Sequence, residues 1–238
     1  MVPRRLFIAL AAAAALAGSA WAQARIEVDV QAGPAFMHRA RFGLILVKTR
    51  PQMAIWLETA GGRFLDTIFV THRSAVADWY GGKGVRRPEA LPVWSHARGI
   101  PAPDGLFMPD RAHPLADAVS GPTPEAGFTR TWLPPSPLKP GSYLVRVELN
   151  QSFDWNEAWP DRLPKDDRRW TEANGQPSIV WEGVLEIRDT AAPAEAVLSP
   201  VGTGSLRGED GGLRRGLEGI TTARDIAASI GARYIPGD

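Results

Sequence analysis

The sequence predicts an all-β protein: a two-sheet immunoglobulin-like sandwich with long loops and a short C-terminal helix. Three observations carry this expectation. The 24 Gly and 21 Pro residues fall between short β-branched and aromatic runs, as turns fall between strands. Several of those runs alternate apolar and polar residues, the period of a half-buried strand. No helix-length periodic segment interrupts them, which favours sheet packed on sheet.

Residues 1–22 come first and read as a cleavable signal peptide. Arg4 and Arg5 form a short basic head, an apolar run follows from Leu6 to Ala17, and Ala20-Trp21-Ala22 supplies the small residues of a cleavage site. The run is shorter than the roughly 20 residues a membrane span needs. Arg4-Arg5-Leu6-Phe7-Ile8 also resembles a twin-arginine export signal. A periplasmic location is therefore expected, with no transmembrane segment after the signal is removed.

The strands are expected at 25–30, 42–48, 52–58, 63–71, 127–133, 142–150 and 178–188. In the run from Tyr143 to Glu148, Tyr143, Val145 and Val147 share one face while Arg146 and Glu148 share the other. Gly61-Gly62 between two runs marks a hairpin. The predicted core includes Ile45, Trp56, Ile68, Val145, Val147 and Val180. Loop-rich stretches cover 79–113 and 154–176. Residues 23–189 form the predicted sandwich domain. From 190 the chain turns rich in Ala, Pro and Gly and reads as an extended linker. A helix is expected after Thr222, where Thr222-x-x-Asp225 resembles a capping box and Ala223, Ile226, Ala227 and Ile230 share a helical face.

Composition excludes several chemistries. The 216 residues after the signal hold 25 basic and 26 acidic side chains, so the clustered basic excess of a nucleic-acid binder is missing. Cys is absent, which removes disulfides, thiolate catalysis and iron–sulfur ligation. His38, His72, His96 and His113 do not pair at metal-ligand spacing. No Gly-x-Ser-x-Gly elbow marks a serine hydrolase, so no catalytic residue is assigned.

Two features remain. Trp155, Trp159 and Trp170 stand in a polar segment, where exposed indoles suit a non-redox binding module for a glycan or a partner protein. The second is Asp117-Ala118-Val119-Ser120-Gly121-Pro122-Thr123. It resembles the acceptor motif for covalent flavinylation, Asp-x-x-Ser/Thr-Gly-Ala-Ser/Thr, in which a flavin transferase moves FMN from FAD onto the last hydroxyl. The cofactor-binding residues it implies are Asp117, Ser120, Gly121 and Thr123, with covalent FMN on Thr123. Gly121 lets a transferase approach the backbone closely. Pro122 stands where the motif has Ala, and a proline removes an N–H and fixes φ near −65°. A tryptophan such as Trp132 or Trp94 is expected to stack on the ring.

With these segments, residues 51–58, 87–94, 140–148 and 175–178 resemble the bacterial domain family of unknown function described as "predicted periplasmic protein". The likeness covers roughly residues 42–188. The Pro140-Gly141-Ser142-Tyr143 turn also resembles FlgD-type immunoglobulin-like domains. The resemblance implies flavin transferases and PepSY-type membrane redox proteins as partners, and a role in extracytoplasmic electron transfer.

Overall fold

The computed structural model describes residues 23–238 apart from 43, 80, 81, 84, 111, 114 and 116–119. The signal-peptide expectation and Asp117 lie outside the described residues.

The chain is mostly β; in its first half the strands expected at 25–30, 52–58 and 63–71 form, whereas the one expected at 42–48 is broken by a hairpin turn between two shorter strands. β1 (Arg25–Ala32) is followed by a hairpin of β2 (His38–Phe42) and β3 (Ile45–Thr49). β4 (Gln52–Thr59) and β5 (Phe64–Thr71) come next, joined at Gly61-Gly62. Gly62 has φ +78° there, a conformation that favours glycine. Two short helices, α1 (His72–Val76) and α2 (Pro92–Ala97), flank the two-residue strands β6 (Asp78–Trp79) and β7 (Gly82–Lys83). β8 (Ser120–Gly121), β9 (Phe128–Trp132), β10 (Gly141–Asn150) and β11 (Ile179–Ile187) follow.

The C-terminal expectations are corrected. In place of a linker stands β12 (Ala194–Thr203), followed by β13 (Arg214–Arg215). In place of a helix, a 3-10 turn at Thr222–Asp225 leads into β14 (Ala227–Ile235). The misreading has a physical cause. Gln31 pairs with Ser229 and Ala32 with Ala227, so Ala228 is an extra residue on its strand. That bulge stretches the inward spacing from two to three at Ala227 and Ile230, and the spacing then returns to two at Ala232 and Tyr234. The spacing imitates a helix for one turn. In β12, Pro200 lies where the pairing with β11 shifts register, the kind of place a sheet tolerates proline.

Pairing runs in one continuous, curled path, β8-β5-β4-β10-β11-β12-β14-β1-β9, with β13 on β12. β12 joins its halves, since Ala194–Leu198 pair with β14 and 199–203 with β11. β5 pairs with β8 in parallel and with β4 antiparallel. The inner core gathers Ile68, Val145 and Val147 with Ile26, Val28 and Ile230. A second core on the outer face of β4 and β5 gathers Trp56, Val70 and Val180 beneath α1, α2 and the 85–108 loop. β4 is consequently buried on both faces and loses its alternation. Of the six predicted core residues, Trp56, Ile68, Val145, Val147 and Val180 are buried. Ile45 is corrected: it is 66% exposed near the end of the β2–β3 hairpin, whose strands pair, among the described residues, only with each other.

Candidate functional site

A cleft of about 1000 Å³ opens between the β2–β3 hairpin, the start of α1 and the β8 segment. Its walls follow from the pairing. Ser120 sits beside Val70 and Gly121 beside Thr71, so the chain leaves β8 next to His72 and Arg73. A Cβ on Gly121 would lie 3.3 Å from the Phe69 ring, tight for any larger residue. The chain then continues without regular structure through Pro122 and Thr123, and all four residues 120–123 line the cleft. Ser120 and Pro122 are exposed and Thr123 is half-buried. The Thr123 hydroxyl has no hydrogen-bond partner among the described residues.

The opposite wall is the hairpin. Gln151 Nε2 donates to the Thr49 carbonyl and hydroxyl, each at 2.9 Å, and Thr49 Oγ1 donates to the Ser152 carbonyl at 3.3 Å. His38 Nε2 lies 3.0 Å from the Phe153 carbonyl oxygen. Phe153 itself has φ +65°, a strained conformation for a bulky residue, and it lines the cleft with Ser152. The next residue, Asp154, is buried. Its carboxylate accepts from Gln176 Nε2 at 2.8 Å and from the Thr222 hydroxyl. Burial pushes the Asp154 carboxyl above its ordinary value, against the hydrogen bonds and His38 that lower it.

The cleft has a definite electrical character. Lys48, Arg50, Arg73 and Arg87 line it with His72, and no Asp or Glu stands among its described lining residues. Arg87 is the most firmly set. Its guanidinium bonds Glu89 at 3.1 Å, Ser152 at 3.3 Å and Asn174 at 3.1 Å, and lies 4.7 Å over the Trp79 ring. Arg50 pairs with Glu125. Beneath them Gln52 Oε1 accepts the hydroxyls of Thr71 at 2.8 Å and Ser74 at 3.2 Å. Met37, Leu46, Val47 and Trp79 add apolar surface.

Other expectations fare differently. Trp132 and Trp94 do not line the cleft: both are buried, Trp132 donating to Asp66 Oδ2 at 2.7 Å and Trp94 to Thr67 Oγ1 at 3.0 Å. Among the described residues, the aromatic rings at the cleft are His72, Trp79 and Phe153. Trp155, Trp159 and Trp170 are half-buried with separate neighbours: Phe153 for Trp155, the inner core for Trp159 and Lys165 for Trp170. Among the described residues, no three His, Asp or Glu side chains gather as metal ligands would.

No family model, curated protein or solved structure matches this chain.

Proposed function

We propose that this protein is an extracytoplasmic electron carrier bearing FMN as a phosphoester on Thr123, loaded by a flavin transferase and exchanging electrons with a membrane redox partner. One observation carries the reading: the hydroxyl that the acceptor motif singles out is half-exposed, unbonded among the described residues and on the wall of a roomy cleft. Small-molecule sites commonly span about 300–1,000 Å³, so the cleft has room for a tricyclic ring and its ribityl phosphate. The residues present suit such a group, with cations for the phosphoryl end and Leu46, Val47 and Phe153 for an apolar body.

In the loading step, Thr123 Oγ forms a bond to the FMN phosphorus of FAD while the pyrophosphate bond breaks and AMP leaves. The hydroxyl proton passes to solvent through the transferase. Once attached, the flavin supplies the redox chemistry. The chain's residues hold its phosphate and shield its ring from water. Reading residues 1–22 as an export signal suits this role, as does an immunoglobulin-like reading of the curled sheet.

The test is a visible spectrum of protein co-produced with a flavin transferase and then denatured. Flavin absorbance that stays with the unfolded wild-type chain and is lost in Thr123→Ala is expected. Equal colour in both would refute Thr123 as the acceptor.

A further inference from the structure

We infer that the cleft is a phosphoryl-recognition site in its own right, in which Lys48 and Arg73 bind the phosphate of an aromatic phosphoester whether or not Thr123 is esterified. The inference deepens the flavin reading and rests on it for the identity of the aromatic body.

The argument starts from charge. The whole chain carries a formal net charge of only +1, yet four cationic side chains from three stretches of sequence, Lys48 with Arg50, Arg73 and Arg87, line one cleft. No carboxylate stands among the described lining residues to balance them. Two of the four are already engaged, Arg50 by Glu125 and Arg87 by Glu89. The side chains of Lys48 and Arg73 are exposed and have no carboxylate partner among the described residues. Like charges sharing a cleft with apolar walls repel one another and focus a positive potential into it. An anion relieves that repulsion, and a phosphoryl oxygen facing Lys and Arg takes charge-assisted hydrogen bonds about twice as strong as neutral ones.

The remaining surface narrows the ligand class. Leu46 and Val47 of the hairpin, with Phe153, offer an apolar and aromatic face inside the same cleft. A bare inorganic anion leaves that face wet. A ligand with a phosphoryl group at one end and a planar aromatic body at the other satisfies both. Arg87, clamped by three acceptors and an indole face, is spent on wall structure. Lys48 from the hairpin and Arg73 from α1 are the pair free to close on the phosphate.

The test uses Thr123→Ala, which cannot form the ester, titrated with free FMN and with riboflavin while flavin fluorescence is followed. Saturable FMN binding is expected, at least tenfold tighter than riboflavin and weakened by salt. Adding Lys48→Gln and Arg73→Gln is expected to bring FMN down to the riboflavin level. Both side chains are exposed, and an unchanged denaturation midpoint will show that the variants fold. Equal affinity for FMN and riboflavin, unaltered FMN affinity in the Gln variants, or no FMN binding at all would each overturn the inference. The acceptor reading fails separately: an adduct on wild type beside a non-binding Thr123→Ala keeps the ester and discards the site, and binding without an adduct does the reverse.

Discussion

Ser120 pairs with Val70 in parallel register, and this short ladder brings Thr123 to the cleft. Val70 also pairs with Ala54 on the other side, and its side chain lies in the outer core. The candidate acceptor thus hangs from one of the best-packed strands in the molecule. Within four residues the chain passes from an exposed strand paired on buried Val70 to the Thr123 hydroxyl.

Stability should depend on pH through Glu148. Burial pushes its carboxyl from 4.5 up to about 7, against hydrogen bonds from Ser178, Trp94 and Val93. Between those two values the folded chain holds a proton that the unfolded chain has released, so stability falls as pH rises and levels off above about 7. At about 1.4 kcal/mol per pH unit the loss is about 3 kcal/mol. Urea denaturation of wild type and Glu148→Gln at pH 4 and 8 checks this. The difference between the two proteins should shift by about that amount, and a pH-independent difference would contradict it.

Arg146 bridges two carboxylates, at 3.0 Å from Glu58 and 2.6 Å from Glu182. Glu58 is 1% exposed and also accepts the Trp56 indole N–H at 2.6 Å. Arg146→Met leaves Glu58 as a buried charge without its counter-ion, which costs about 3–5 kcal/mol. Adding Glu58→Gln should recover a large part. A loss below about 1 kcal/mol in the single variant, read by urea denaturation, would contradict the account.

Gly175 combines φ +77° with a close approach: a Cβ there would lie 2.5 Å from the Asp154 backbone. Gly175→Ala must therefore shift the segment that holds Phe153 and Asp154 against the hairpin. We expect more than about 1 kcal/mol of destabilisation, with FMN affinity of the cleft falling in parallel. Unchanged stability would show that the 153–176 loop yields at no cost.

Much of the fold was legible because strand alternation survives wherever one face meets solvent. Tyr143 to Glu148 is the clearest case. Burial on both faces hid nothing in β4, since its apolar run still read as a strand. The sequence failed at the C-terminus, where the bulge at Ala228 disguised a strand as a helix and the short side chains of β12 disguised a strand as a linker. The site was legible only as a motif. Ser120, Gly121 and Thr123 stand together in sequence, whereas Lys48, Arg73, Trp79 and Arg87 meet only through pairing that no local pattern announces. Their charges read as ordinary solvated surface until the hairpin and α1 face each other.

Export is checked by the N-terminus of the secreted chain. The Ala20-Trp21-Ala22 ending predicts a protein that starts at Gln23, within a residue or two. Recovery of a membrane-bound chain that retains Met1 would contradict an extracytoplasmic carrier.

The central claim is tested most directly by intact mass. Wild type and Pro122→Ala should be co-produced with a flavin transferase, denatured and weighed beside a substrate known to be modified. The account predicts one FMN-sized increment on wild type, mapped to Thr123, and a higher yield in Pro122→Ala, where the acceptor backbone regains an N–H. Thr123→Ala should carry no increment while its stability changes by less than about 0.5 kcal/mol, as for most surface substitutions. Absence of the increment from both wild type and Pro122→Ala, while the control substrate is modified, would contradict the account.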